Sequence, residues 1–485
     1  MRRLGTFGAA FSLVAAGALA IACASVLGVE DGILDPAVLG ADASLPDGGA
    51  DTAVPISEAG GPDVVVLVDA GVDCPSEQAK ESTGIFVSTS GVTTASCGSK
   101  LQPCATLALG VGRAKAVPGI TTVYVDSGSY AETLSLTGIG GLLIQGGWDD
   151  VGGVWRRQCT PTRASSAKIV GQGGIGVSAT GMVGLTTLDT LSIEVGLTGA
   201  VPSQSLYGVL ASGATSWVKL VDVGIAVGNA GNGGAGAKGG GGANGANCTG
   251  TGGAPGPGGG TAGPAGGGGF TANGYTAPAG GAGAGGGAGV GTAGGGGTTV
   301  TCITSCTLAD GGAACDQTTS DVRGQNGSGG CGGGPGAGGG GGGPGGSSFA
   351  IYVWDGQVNL VRGAAAVGNA GTGGAGGGGG AGGAGVAGSA GADAPPCPTQ
   401  CLLGAGPACA TANASTPTGG NGGAKGGLGG AGGGGGGASG GYAYAIFTNP
   451  SGIATVDGTT LGHGTAGAGG GGAPAGKSGD TGSIP

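Results

Sequence analysis

Five carboxylates, one histidine and thirteen cysteines are where chemistry could sit in this chain. Asp149-Asp150 is the one adjacent carboxylate pair between residues 84 and 227. Such a pair could ligate Ca2+ or share acid and base roles on a polysaccharide. Adjacent residues on a strand point to opposite faces, so the pair is expected in a solvated turn rather than in one site. Asp126, Asp189 and Asp222 fall on separate stretches with no partner legible from the sequence. Arg156-Arg157 read as a loop ahead of Cys159. His463 is the only histidine. It leaves a Ser-His-Asp or Cys-His site a single candidate base, and no nucleophile motif lies beside it. His463 follows Leu461-Gly462 as Asn229 follows Val227-Gly228 and Asn369 follows Val367-Gly368. That parallel predicts a structural turn role for all three.

The cysteines pose a choice between zinc and disulfides. Cys302, Cys306, Cys315 and Cys331 would supply the four ligands of a structural zinc site. With Cys248 the first glycine-rich tract holds five, and Cys397, Cys401 and Cys409 give the second three. Both counts are odd, so a bridge between the tracts is arithmetically consistent. The compartment decides the choice. Arg2-Arg3 precede an apolar run from Phe7 to Ile21, the pattern of an export signal and too short for a comfortable membrane span. The run ends in Leu19-Ala-Ile-Ala-Cys23, which resembles a bacterial lipobox with Ala20 at the usual leucine position. Cleavage after Ala22-Cys23-Ala24 is the rival reading. Lipid attachment at Cys23 leaves twelve cysteines in an oxidising compartment, where disulfides are the default. Cys97–Cys104 is the best pair in the core, and Cys74–Cys159 is what remains.

Composition narrows the partners. The net charge is −10 and there are 16 basic residues with no basic run, which argues against nucleic acid. Many G-x-G-x-x-G strings occur, but none follows a strand and opens a helix, so no phosphate loop is read. The glycine-rich calcium repeat needs an aspartate that these tracts do not place in register. No metal or other cofactor is implied. The expected partners are a membrane, through the lipid, and cell-surface glycans or matrix.

The elements that must position these residues are short strands. Residues 1–23 read as the signal and 24–83 as a flexible acidic tether. Within that tether Val64–Val68 is an apolar exception. Order begins at Gly84 with the alternating Ile85-Phe-Val-Ser88. Leu107, Val111 and Ala114 recur at helical spacing, predicting a short amphipathic helix over 105–116. Strand-like runs then follow at Thr121–Val125, Gly141–Trp148, Ala167–Val170, Gly174–Ser178, Leu185–Ile193 and Tyr207–Ala211. Repetition decides the architecture. Tyr207-Gly-Val-Leu, Phe349-Ala-Ile-Tyr and Tyr444-Ala-Ile-Phe align, and each is followed by a run ending in glycine plus Asn229, Asn369 or His463. A unit that repeats with its insertion at one corner predicts a solenoid.

The Cys-x6-Cys segment with Pro103, the helix, "TVYVDSGSYAETLSL" and "GLLIQGGWD" resemble the start of right-handed parallel β-helix proteins of the DUF1565 and pectin-lyase-like kind. The glycine tracts resemble those of exported PGRS-type proteins, as in myxobacterial lipoproteins. The resemblance covers about residues 84–227 and implies the fold. It says little of activity.

The expectation is therefore an all-β, right-handed parallel β-helix with an N-terminal capping helix. The β-helix spans 84–228, with further rungs at 348–368 and 442–463. Glycine-rich insertions occupy 229–347 and 369–441, and a glycine-rich tail 464–485. With 135 glycines in 485 residues, the tracts keep small-Gly-Gly triplets. That spacing suits either flexible coil or a bundle of polyglycine-type helices of three residues per turn. The expected function is non-enzymatic: a cell-surface or extracellular protein of adhesion or matrix type. The alternatives are a carbohydrate-binding or carbohydrate-cleaving β-helix and a passive spacer.

Overall fold

The computed structural model describes residues 78–158, 166–246, 269–306, 318–396, 409–412, 418–421 and 423–483. All of them belong to the unit Gly61–Pro485. Cys23, Cys74, Cys159, Cys248, Cys315, Cys397 and Cys401 lie outside the described residues, as do Val64–Val68 and the rest of the N-terminal 77.

Nearly all of the described secondary structure is β, built on three parallel sheets with one α-helix. The first sheet orders Gly84–Val92, Thr122–Asp126, Leu143–Val151, Leu185–Asp189, Trp217–Val221, Gln357–Val361 and Ile453–Asp457. The second orders Gly128–Tyr130, Ala167–Gly171, Ser192–Val195, Gly224–Val227, Ala364–Val367 and Thr460–Gly462. The third orders Leu134–Ser135, Ile175–Thr180, Leu206–Ser212, Ser348–Trp354, Ala443–Thr448 and Ser478–Ser483. From Thr122 onward the chain visits first, second and third sheet in that rotation. Each round pairs with the round before it.

Register stacks like on like. Leu188, Leu220 and Leu360 form one inward column, and Ile193, Ile225 and Ala365 another. All are at most 2% exposed. Each fully buried Leu or Ile contributes about 1.5–3 kcal/mol. On the last round Val456 occupies Leu360's column yet is 45% exposed.

At the other end, helix α1 (Leu107–Ala116) packs Leu107, Val111 and Ala114 into the same core. The Thr106 side chain caps it by accepting from the Leu109 N–H. The Glu132 carboxylate accepts from the N–H groups of Leu107 and Ala108, at 2.7 and 2.9 Å. These are amides with no partner inside the helix, at its positive end.

In the last four rounds the chain turns between first and second sheets through one left-handed residue. Thr190, Asp222, Arg362 and Gly458 stack there with φ of 58, 50, 50 and 56°. Their amides continue the ladder: Thr190 donates to Val221 O, Asp222 to Val361 O and Arg362 to Asp457 O. Between second and third sheets lie the glycine tracts. The connections after Val227, Val367 and Gly462 all leave from that corner.

The described parts of the glycine tracts are extended and hydrogen-bonded to one another. Six extended segments lie in them: segment one (229–246), two (279–298), three (324–346), four (369–393), five (418–421 and 423–441) and six (464–470, before a turn at Gly471 and Gly472). They are joined by backbone hydrogen bonds at every third residue. In segment four, Gly374, Gly377, Gly380 and Gly383 donate to segment three, and the carbonyls of the same residues accept from segment five. The carbonyls of Thr372, Ala375, Gly378, Ala381 and Ala384 accept from segment one. Gly373 donates to Ala468 of segment six. Segment two bonds to three and five, at Gly280–Gly342 and Gly430–Gly287 for example. Segments one, four and six thus form one row, three and five a second, and two alone a third.

Two further pieces lie in the stretch read as the first glycine insertion. One is the hairpin Gly269–Thr271/Gly274–Thr276. The other is Thr299–Cys306 paired antiparallel with Thr318–Arg323 and with Cys409–Ala412. The stretch 464–485, read as a tail, returns to the third sheet as Ser478–Ser483.

Candidate functional site

The carboxylates gather near the corner that leaves the first sheet. Asp149 and Asp150 are not in a solvated turn. They lie in the strand Leu143–Val151, which forms a hairpin with Val154–Arg157. Arg156 and Arg157 are therefore strand residues, not loop. The parallel register of Thr122–Asp126 with this strand shifts between Tyr124 and Asp126. Asp149 Oδ1 accepts from Ser127 Oγ at 2.8 Å and from Gln158 Nε2 at 2.5 Å. Asp150 Oδ1 accepts from the Gly153 N–H at 2.8 Å, closing the hairpin turn.

The three separated aspartates, which had no legible partner in the sequence, each have one. Asp126 accepts from Ser88 Oγ at 2.7 Å and from the Asp150 N–H at 3.0 Å. Burial pushes its carboxyl above the usual 3.8, against the lowering effect of the Ser88 bond. Asp189 pairs with Arg157 at 2.9 Å and accepts from Gln145 Nε2 at 2.8 Å. Asp222 receives Arg362 on both carboxylate oxygens, each at 3.0 Å. Stacking brings these groups near one another because their columns adjoin, a proximity that residue spacing could not show. Each carboxylate is held by a neighbouring donor, which is the chemistry of corner fastening. Glycoside cleavage instead needs two carboxyls flanking a bond. Among the described residues no three His, Cys, Asp or Glu side chains are placed to hold a metal ion.

Four cysteines, Cys97, Cys104, Cys302 and Cys331, are disulfide-bonded. Cys97 and Cys104 form a disulfide beneath helix α1. Cys302 and Cys331 are each disulfide-bonded, so neither offers zinc a thiolate. Strand register sets Cys306 opposite Cys409, which joins the two glycine-rich tracts at one small sheet.

Asn229 and Asn369 bridge segments. Asn229 Oδ1 accepts from the Asn369 N–H at 2.7 Å, and Asn369 Oδ1 accepts from the Thr465 N–H at 2.8 Å. Asn232 and Asn244 do the same for Thr372 and Ala384. Thr465, rather than His463, is therefore the counterpart of Asn369. The register Ala365↔Leu461 moves the last round by two residues, which seats Leu461 over the core. His463 pairs instead with Asp480 at 2.8 Å.

Two surfaces stand out. On the first sheet's outer face, Leu185, Trp217, Gln357 and Ile453 share a column. Trp217 is 44% exposed, and Thr187, Lys219, Asn359 and Thr455 form the polar column beside it. On the third sheet's outer face, Tyr207, Phe349, Tyr352, Tyr444 and Phe447 form an aromatic cluster separate from the core. The hairpin Gly269–Thr276 covers it. Tyr207 and Phe349 were legible as repeat markers. Their partner Phe270, in a glycine-rich stretch, was not.

No family model, curated protein or solved structure matches this chain.

Proposed function

We propose that this is an exported cell-surface protein of the structural or interaction class, anchored by lipid at Cys23. Its three sheets are the faces of a right-handed parallel β-helix, and its six segments are a bundle of polyglycine-type helices displayed from one corner. The observation that carries this reading is hydrogen bonding at every third residue across all six segments. Three residues per turn is the polyproline-II period. Ordering glycine costs more conformational entropy than ordering any other residue, and a tether has no need of that order. The function is non-enzymatic, and the partners are glycans or matrix at the cell surface.

Hydrogen exchange on the mature protein tests the display. The amides of Gly374, Gly377, Gly380 and Gly383 are expected to be protected. Exchange at coil rates would leave only a passive spacer. Anchoring is tested by palmitate labelling, which Cys23→Ser is expected to abolish. Unchanged labelling and maturation of that variant would refute lipidation.

The Trp217 surface supports a second reading, carbohydrate binding. An exposed indole flanked by hydroxyl, amide and ammonium side chains suits a sugar ring, with one apolar face and a polar rim. Pull-down on insoluble polysaccharides should then retain the protein and lose Trp217→Ala. Equal retention of both would end this reading.

A further inference from the structure

Five of the six glycine segments are fastened to the scaffold by their own chain. Segments one, four and six continue directly from Gly224–Val227, Ala364–Val367 and Thr460–Gly462 of the second sheet. Segments three and five run directly into Ser348–Trp354 and Ala443–Thr448 of the third. Segment two has no such neighbour. It is preceded by the hairpin Gly269–Thr276 and followed by Thr299–Cys306, a strand of the small antiparallel sheet. It still keeps register, since Gly280, Gly283, Gly286 and Gly289 donate to segment three, and the carbonyls of Gly281, Ala284, Gly287 and Val290 accept from segment five.

The hairpin supplies what the scaffold strands supply elsewhere. Tyr352 Oη donates to Thr271 O at 2.8 Å, and the Tyr275 N–H donates to Tyr207 Oη at 2.8 Å. Phe270 stacks on Phe447 with ring centroids 4.2 Å apart, and it meets Tyr442 edge-on. Two-stranded hairpins are marginal alone in water, and outward aromatics on a sheet are an exposed apolar patch unless covered. Each therefore depends on the other. Phe349 and Tyr352 are fully buried on a face that would otherwise meet solvent.

We propose that this hairpin is a strap that docks segment two onto the third sheet, and that strap and segment two open and close together while the other five segments stay in place. Opening would uncover both the aromatic face and the backbone groups of segments three and five that segment two now engages. The proposal rests on the ordered bundle, and its test separates the two.

The test is hydrogen exchange on the full chain, comparing wild type with Phe270→Ala and Tyr352→Phe. In wild type, Gly280, Gly283 and Gly286 are expected to exchange faster than Gly374, Gly377 and Gly380. Phe270→Ala should speed the first group at least tenfold and leave the second unchanged. Tyr352→Phe keeps the ring and removes one hydrogen bond, so it should shift the same group by less. If Phe270→Ala does not fold, Tyr352→Phe decides alone. Wild-type protection retained in segment two, or equal loosening of all six segments, would overturn the strap. Unprotected Gly374 in wild type would instead sink the bundle.

Discussion

At the scale of single residues, Asp126 shows how the corner is held and what holding it costs. Its two oxygens accept from Ser88 and from the Asp150 amide, and Asp150 adds a repulsive charge nearby. Burial outweighs the hydrogen bonds, so the folded carboxyl titrates above 3.8. A folded pKa above the unfolded one means that the folded state holds the proton more tightly. This residue's contribution is then fullest below 3.8 and declines as pH rises through the folded value. Asp126→Asn keeps an acceptor oxygen and removes the charge. Relative to wild type, the variant should be more stable at pH 7 than at pH 3. Melting temperatures of both proteins at the two pH values check this, and a difference that does not change with pH would count against it. Left-handed Thr190 beside this corner carries a similar tension. A β-branched residue is a genuine outlier there. Part-buried hydrogen bonds from its Oγ1 to Asp189 and from Arg157 to its Oγ1 hold it in place.

At the scale of elements, the glycine segments follow a rule that the sequence states in part. A segment that bonds to its neighbours at every third residue presents one residue in three to each of them, so side chains are allowed only where no neighbour lies. A Cβ on Gly377 would overlap Ala237 O of segment one, whereas one on Gly378 would meet open space. The residues flanking Gly378 in its column are Ala375 and Ala381. Segment five repeats the lesson. A Cβ on Gly437 would overlap Gly470 O of segment six. Further out the same column reads Gly434, Ala431 and Leu428, and Leu428 is 61% exposed. Gly377→Ala should therefore cost about 1–3 kcal/mol, as overpacking does, and Gly378→Ala should fall within about 0.5 kcal/mol of wild type, as open surface changes do. Protection of the Gly340 amide, which donates to Ala237 O, reads both. Equal effects would contradict the packing rule. The triplet spacing was legible in the sequence, as were the recurring strands and the helix over Leu107, Val111 and Ala114. The choice between coil and ordered segments was not. It depends on whether six stretches far apart in the chain, such as those that join Gly436 to Gly281, can pair their backbones, and no local pattern carries that. The carboxylate contacts were hidden for the same reason, since Gln145, Arg157 and Asp189 meet only through stacking.

At the scale of the whole molecule, two kinds of order share one chain, and they should respond oppositely to cold. The three sheets enclose columns of Leu, Ile and Val that are nearly all below 5% exposed. Apolar burial of that kind gives unfolding a positive heat-capacity change and loses strength on cooling. The interior of the glycine bundle buries backbone rather than apolar side chains. Exposing polar peptide surface lowers the heat capacity instead. The bundle's order is then enthalpic and is opposed mainly by the large conformational entropy of glycine, a term that shrinks with temperature. Opening free energies from hydrogen exchange at 5 and 25 °C separate the two terms. For Gly377 and Gly380 they should rise on cooling. For the amides of Leu220 and Leu360, at the centre of the stacked sheets, they should stay level or fall. Curves that move in parallel would mean that bundle and sheets unfold as one cooperative body, held by the same apolar core. Divergent curves would mean that the glycine bundle is stabilised by its own hydrogen bonds and outlasts, in the cold, the hydrophobic sheets from which it leaves.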